Sequence, residues 1–260
     1  MKKAFFIVLL SALACAGFAQ SQLYHYEDSM LAIKAEQAYD HVDTYSRYYV
    51  NVEMPKVEGA VRDSIVGWLN TVFATDSGVV ITDVDKLIRN SIERFRASEM
   101  EDRKACEISM PYEYQTEVSL VTMNSQYVTL LCNDYLYLGG AHGVSAVYGA
   151  TFRMSDGKHL LWDDMFFDRD AVRPFLTKAF NTLDRDERPE WDLVYEYTES
   201  SADTYPMPTN NPYLVENQQL MFIYQSYEIG PYAMGMPSCS IPATELKDIL
   251  KPDFLKLVAP

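Results

Sequence analysis

The sequence is poor in the residues that metal sites and disulfide frameworks require. It has four histidines and four cysteines in 260 residues, and no two histidines stand three or four positions apart. The cysteines do not form the close pairs that are typical of zinc sites either. We therefore expect no metal, no cofactor and no catalytic residue of those types.

Basic residues are also scarce. The chain has 22 Lys and Arg against 37 Asp and Glu, which gives a formal net charge of −15. Binding to a phosphate backbone depends on Lys and Arg contacts, so such a surface repels nucleic acid and anionic lipid. The charge excludes a nucleic-acid-binding protein and favours a cationic macromolecular partner.

Long apolar runs are absent except at the N-terminus. There, Lys2 and Lys3 precede an apolar run at residues 4–14, which is too short to span a membrane and is typical of a secretory signal peptide. We predict a signal peptide at residues 1–19 with cleavage after Ala19, and a periplasmic or extracellular mature protein. Lipid attachment at Cys15 is the alternative, and it alone would place the protein on a membrane.

Three cysteines remain after such processing. Cys106, Cys132 and Cys239 could close one disulfide at most in an oxidising compartment. We favour the alternative that they are small buried apolar side chains.

Hydrophobic periodicity predicts helices and strands in blocks. Residues 20–44 have no clear period and are interpreted as a leader with at most a short helix. A strand, two helices, a long hairpin and further strands and helices follow. The strands are predicted at 46–57, 105–123, 126–138, 144–154, 159–162 and 220–229, and the helices at 60–74, 84–97, 170–183 and 243–250.

This arrangement predicts an α+β fold: an antiparallel sheet with helices packed on it. We place an N-terminal α+β lobe at 45–136 and a C-terminal α+β domain at 137–260. The two lobes could share a sheet.

The stretch YLGGAHG at residues 137–143 is the one that most resembles an active site. Gly139, Gly140 and Gly143 flank His142, and consecutive glycines favour a bulge or tight crossing because they reach positive φ without penalty. A catalytic role for His142 would need a nucleophile or an acid beside it, and Ser145 does not stand in a nucleophile-elbow motif. We therefore interpret the stretch as a backbone device.

Residues 184–203 combine acidity with aromatic side chains. Eight acidic residues stand there against Arg185 and Arg188, interleaved with Trp191, Tyr195 and Tyr197. The segment is either a solvated surface or a recognition surface, in which the aromatic residues supply contact area and the charge attracts a basic partner.

The stretch YEIGPYAMG at residues 227–235 is the second candidate for ligand contact. Pro231 breaks the strand, so the chain is expected to bend where Tyr227, Glu228 and Tyr232 are displayed. Tyrosines suit recognition because they offer large contact area with few rotors to order. The alternative is a core corner filled with tyrosine.

Three motifs together resemble a known family, the RsiV-like C-terminal domain. They are YLGGAHG, the pattern F-x-x-S-D-G-K-x-L-x-W-D-D-M-F at 152–166, and YEIGPYAMGMPSCSIP at 227–242. The resemblance covers about 137–250, and 45–136 looks like the lobe that often precedes that domain. Such domains occur in lysozyme-sensing anti-sigma factors and beside some peptidoglycan deacetylases. The resemblance implies an α+β fold and, in sensing members, non-catalytic binding of lysozyme.

The sequence thus supports three functions. The first is an exported, non-catalytic binding module of the cell envelope, whose ligand is a cationic protein such as lysozyme or a cell-wall glycan. The second is an envelope hydrolase that acts on peptidoglycan or another glycan with His142 as base. The third is a structural envelope protein without a soluble ligand.

Overall fold

The computed structural model describes residues 21–34, 43–73, 80–106, 111–183, 194 and 205–258. It confirms the α+β class, with one six-stranded sheet, one three-stranded sheet and helices packed on them. The strands are β1 Ser21–Lys34, β2 Asp43–Pro55, β3 Glu113–Met123, β4 Tyr127–Tyr137, β5 Val144–Arg153, β6 His159–Leu160, β7 Tyr213–Val215, β8 Gln219–Ile223 and β9 Ser238–Pro242. The helices are α1 Gly59–Val72, α2 Val84–Cys106, α3 Trp162–Met165, α4 Arg173–Thr182 and α5 Pro252–Val258.

The large sheet follows chain order, β1-β2-β3-β4-β5-β6. All its pairs are antiparallel except β2 with β3, which run parallel because α1 and α2 form the crossover between them. The sheet is therefore mixed rather than purely antiparallel. It continues across residue 137, so both predicted lobes contribute strands to it, and the lobe boundary there stays a prediction.

The first hydrophobic core lies between the two helices and one face of this sheet. Ile65 and Leu69 of α1 and Leu87 of α2 are fully buried against Val118 of β3 and Phe152 of β5. Apolar side chains at helical spacing face alternate residues of the strands, as the two periodicities predict.

The three-stranded sheet packs on the other face, and a buried threonine joins the two layers. The Oγ1 atom of Thr151 accepts a hydrogen bond from the backbone N–H of Leu214 at 2.9 Å and lies 2.9 Å from the hydroxyl of Thr129. Close approach here depends on Gly149, because a Cβ at that position would lie 2.0 Å from the ring of Tyr213. The second hydrophobic core contains buried side chains of α3, α4, α5 and the three-stranded sheet.

Two predicted elements were wrong. Residues 21–34, interpreted as a leader with at most a short helix, form β1, which pairs along β2. The predicted helix at 243–250 is a run of turns, in which the N–H groups of Leu246 and Ile249 bond carbonyls three residues earlier. The helix begins instead at Pro252, because proline at the first helical position needs no hydrogen-bond donor.

The limits of two other elements also differ from the prediction. Helix α2 extends to Cys106, so the start of the predicted strand at 105–123 is helical. The predicted strand at 220–229 ends at Ile223, and a turn follows. That turn carries part of the candidate site.

Cys132 and Cys239 are buried free thiols in different cores, and burial raises the pKa of both, that of Cys239 to about 12.

None of the helices within the described ranges has the length and apolar character that a membrane crossing requires.

Candidate functional site

The loop between β4 and β5 contains the glycine-rich stretch. Gly139 has φ of 80° and Gly140 has φ of 118°, which confirms that these positions use the freedom of glycine. The hydroxyl of Tyr137 donates to the carbonyl of Gly140 at 2.9 Å and helps to close the loop. Both glycines therefore adopt a backbone conformation that residues with a side chain rarely adopt.

His142 is exposed on this loop and lies against two tyrosines. Its ring stacks on that of Tyr232, with centroids 3.9 Å apart and planes inclined by 18°. Its Nε2 atom lies 3.3 Å from the hydroxyl of Tyr227, and its Nδ1 atom lies 3.0 Å from the carbonyl oxygen of Gly143. A carbonyl only accepts, so Nδ1 is the donor to Gly143, and in the neutral form of the ring Nε2 is the atom that can accept from Tyr227. We call His142, Tyr227 and Tyr232 the aromatic platform.

A tight turn holds the tyrosines of the platform in place. Tyr227 has φ of 67°, which is rare for a residue other than glycine. Next to it, the two carboxylate oxygens of Glu228 accept hydrogen bonds from the backbone N–H groups of Thr209 at 2.6 Å and Gln225 at 2.7 Å. Glu228, predicted to contact a ligand, thus stabilises the turn.

The same turn is fixed to the large sheet by one side-chain amide. The amide oxygen of Gln225 accepts from the N–H of Val147 at 2.9 Å, and its nitrogen donates to the carbonyl of Val147, also at 2.9 Å. Gln225 therefore pairs with β5 as a neighbouring strand would, and it brings residues 227–232 to the loop of His142.

The platform faces solvent. Tyr227 is 49% exposed and Tyr232 is 36% exposed, so these residues lie on a surface and do not fill a core corner. Pro231, also predicted to contact a ligand, is half-buried and precedes the short 3-10 helix Tyr232–Met234. Exposed Leu138 in the glycine-rich loop adds apolar area at the same end of β4.

A polar groove of about 200 Å³ adjoins the platform. Its side chains offer hydroxyl, amide and carboxylate groups together with one apolar wall. The groove is lined by Tyr49, Gln115, Glu117, Asn133, Asp134, Tyr135, Ser145, Ala146, Val147 and Met236. Groups of this kind can orient a polar ligand by hydrogen bonds while a ring or methyl group packs on the apolar part.

Tyr135 connects the groove to the platform. A Cβ at Gly143 would lie 2.4 Å from its ring, so only glycine leaves room for the ring there. Burial raises the pKa of Tyr135, and nearby Glu113 and Tyr232 raise it further. The hydroxyl therefore stays protonated at neutral pH and can donate a hydrogen bond.

Sequence reasoning missed the groove residues. Asn133 and Tyr135 alternate along β4 and face the same side as Gln115 and Glu117 of β3. The turn at Asn124-Ser125, between the strands predicted at 105–123 and 126–138, fixes this register and could have located them.

Trp191, Tyr195 and Tyr197 of the acidic segment lie outside the described residues. In the part that the structure does describe, no group of His, Cys, Asp and Glu is arranged to hold a metal ion.

The motif at 152–166 has a structural role at the opposite end of β5. Asp156 pairs with Arg153 at 2.6 Å, and Asp164 pairs with Lys158 at 2.5 Å. Asp164 also accepts from the N–H of Leu161 at 3.1 Å, which caps the start of α3. Arg153, Lys158 and Asp164 border a second cleft of about 400 Å³ that is also lined by exposed Phe167.

His159 in this motif gives the protein an acid-sensitive position. Burial lowers its pKa, with a smaller opposing effect of Asp164, and its ring stacks on Phe152 at 4.9 Å. As the pH falls below about 6.5, the ordinary pKa of histidine, His159 of the unfolded chain binds a proton while the buried ring of the folded protein stays neutral. The folded state therefore loses stability relative to the unfolded state as the pH falls. We expect the urea midpoint to fall between pH 7 and pH 5, and to fall less in His159→Phe. Equal pH dependence in both proteins would contradict this assignment.

The fold and site define an α+β protein, and two family models match separate parts of its chain. The family model described as "Deacetylase PdaC" matches residues 42–145. The model described as "Protein of unknown function (DUF3298)" matches residues 163–244. The two matches fit a protein of the PdaC-associated, DUF3298 class, whereas the resemblance to the RsiV-like domain stays a prediction.

Individual relatives agree with this class. Over 145 residues, 55% of this chain, the protein is 24% identical to the peptidoglycan-N-acetylmuramic acid deacetylase PdaC of Bacillus subtilis (strain 168), and the match spans 30% of that protein. The fold is similar to the crystal structure of a DUF3298 family member from Bacteroides fragilis, with TM-score 0.68, 19% identity and coverage of 93% of this chain and 99% of that one. It is also similar to a DUF3298 family protein from Pseudomonas aeruginosa PAO1, with TM-score 0.59, 15% identity and coverage of 92% and 97%.

Proposed function

We propose that this protein is an exported binding module of the cell envelope that holds cell-wall glycan on the aromatic platform and in the adjoining groove. The observation that carries the proposal is the stacked and exposed pair of His142 and Tyr232, with Tyr227 beside it. The C–H faces of a sugar ring pack on aromatic rings, whose faces carry partial negative charge. The hydroxyl groups of the sugar then need hydrogen-bonding partners, which the groove offers.

The likeness to PdaC supports this ligand class. The name of the Bacillus subtilis relative states that it acts on peptidoglycan, and the PdaC-like part of this chain contains β3, β4 and the glycine-rich loop. The signal-peptide pattern at residues 1–19 supports export to the compartment where peptidoglycan lies.

The surroundings of His142 favour binding over hydrolysis. A general base is usually oriented by a carboxylate and directed at the reacting proton. Here Nδ1 bonds a backbone carbonyl and Nε2 faces the hydroxyl of Tyr227. Within the described residues, no carboxylate bonds the His142 ring.

Tyr232→Ala tests the proposal. We expect it to weaken binding of soluble peptidoglycan fragments about five- to thirtyfold or more, because loss of an aromatic anchor typically costs about 1–2 kcal/mol or more. The thermal midpoint should change little, since the side chain is exposed. Isothermal titration calorimetry and a melting curve measure the two quantities.

Tyr148→Ala is the matched control. Tyr148 is 40% exposed and stands on β5, but it is paired with Cys132 on the face opposite the groove. We expect this variant to bind like the parent protein. Full affinity in Tyr232→Ala, or equal losses in both variants, would contradict the proposed site.

A cationic protein such as lysozyme is the second candidate ligand. The net charge of −15 and the acidic, aromatic segment 184–203 favour it. Titration of lysozyme at low and high salt separates the two: salt-sensitive binding of lysozyme without binding of glycan fragments would replace the glycan proposal with this one.

A further inference from the structure

We infer that the groove prefers amino sugars that lack the N-acetyl group, and that Glu117 recognises their ammonium group. The inference rests on the proposed function and deepens it, because it names the chemical form of the glycan. It depends on the charges that line the groove and on their partners in the large sheet.

The charged side chains of the groove are all acidic. Among the described residues that line it, Glu117 and Asp134 are charged, and neither Lys nor Arg is present. Asp134 accepts a hydrogen bond from the buried Thr116 hydroxyl at 2.5 Å, so its carboxylate is directed to the helix side of the sheet. Glu117 is exposed, and its carboxylate is therefore the one available to a ligand.

The arginine of the neighbouring strand β2 pairs with a different carboxylate. Arg47 of β2 pairs with Glu113 of β3 at 3.1 Å, and Gln115 also donates to Glu113 at 2.5 Å. Glu113 stands four residues before Glu117 on the same strand and therefore faces the same side. The charge of Arg47 is thus balanced by Glu113, and the described lining of the groove keeps its negative charge.

This charge distinguishes two forms of the same sugar. An N-acetyl amino sugar is neutral at nitrogen, whereas the deacetylated sugar has an ammonium group with three donors. An ammonium group forms a charge-assisted hydrogen bond with a carboxylate, which is about twice as strong as a neutral one. The negative field of the whole protein also attracts a cationic glycan.

The size of the groove agrees with recognition of a single sugar. Its volume of about 200 Å³ is smaller than the usual pockets for drug-sized ligands. We place one deacetylated residue in the groove and a neighbouring residue of the same chain on the aromatic platform, with Tyr135 between them. The reaction class that supplies such a ligand is amide hydrolysis: water cleaves the C–N bond of the acetamido group, which releases acetate and leaves the amine on the sugar.

The test compares two probes that differ only in acetylation, the fully N-acetylated chitin tetramer and the fully deacetylated glucosamine tetramer. By calorimetry at low salt, we expect the mature protein to bind the deacetylated tetramer at least about tenfold more tightly, the ratio that a hydrogen bond to a charged group supports. In Glu117→Gln the preference should fall most of the way to the residual ratio that the field of the whole protein gives, because this variant loses more affinity for the deacetylated tetramer than for the acetylated one.

Two controls make the test specific. Asp163→Asn removes one exposed negative charge from the second cleft at the opposite end of β5, so it measures the effect of net charge alone and should retain the preference. A lysine-containing peptide without sugar tests whether any ammonium group suffices, and it should not bind.

Each other outcome overturns a defined statement. If the parent protein binds both tetramers with equal affinity and Tyr232→Ala binds neither, the amino-sugar preference is overturned and the proposal of glycan binding stands. Preference retained in Glu117→Gln, or binding of the lysine peptide alone, also overturns the inference. Absence of binding to both tetramers and to peptidoglycan fragments overturns the proposed function itself.

Discussion

Replacing Gly157 by valine is expected to cause a large loss of stability. Gly157 has φ of 74°, and a Cβ there would lie 2.3 Å from the carbonyl oxygen of Ala60 at the start of α1. The conformation costs about 1–3 kcal/mol for a residue other than glycine. The displaced backbone adds roughly 1–3 kcal/mol, as overpacking does. Urea denaturation of the purified variant measures the sum.

Gly140→Val separates the two causes. Gly140 has φ of 118°, but no atom lies within 4 Å of the position of its Cβ. This variant should show the backbone strain without the collision, and so should lose less stability than Gly157→Val. If the two variants unfold at the same urea concentration, the collision between the valine side chain introduced at position 157 and the start of α1 adds nothing to the cost of backbone strain.

Phe152→Ala is expected to destabilise the first core by about 3–5 kcal/mol, the usual cost of deleting a buried aromatic ring. The Phe152 side chain is fully buried, packs edge-on against Trp68 of α1 and stacks on His159. It therefore joins the helix layer, β5 and β6. Chemical denaturation followed by tryptophan fluorescence measures the change.

Val144→Ala provides the comparison for Phe152→Ala on the same strand. Val144 is 52% exposed at the other end of β5. Surface substitutions usually change stability by less than about 0.5 kcal/mol. A loss in Phe152→Ala no larger than that in Val144→Ala would mean that the ring does not hold the layers together.

Local patterns predicted most of the first lobe. The helical spacing of apolar residues located α1 and the start of α2, and the alternation on both sides of Asn124-Ser125 located β3 and β4. Each of these elements buries one face, so apolar residues recur in the sequence at the spacing of a helix or a strand.

Other elements could not be found in this way because contacts distant in sequence decide them. β1 has a register shift between Asp28 and Leu31, which interrupts the period of two. The parallel pairing of β2 with β3 depends on a crossover of two helices, and no local pattern specifies it.

The candidate site was predicted in part for the same reason. The bend at Gly230-Pro231 identified a segment that displays Tyr227 and Tyr232, and the glycines identified the loop of His142. Their contact depends on Gln225, whose side chain bonds the backbone of Val147, 78 positions earlier. The inward orientation of Glu228 likewise follows from backbone donors that the turn itself creates.

Because Gln225 pairs with Val147, the platform forms only in a chain whose C-terminal part is folded. His142 and Tyr227 are separated by 85 positions, and they meet only when the segment that contains Gln225 has docked on β5. A chain whose C-terminal part is unfolded or removed by proteolysis would keep the glycine-rich loop but lose the platform. Under the proposed function, only a chain whose C-terminal part has docked on β5 would hold a glycan on the platform.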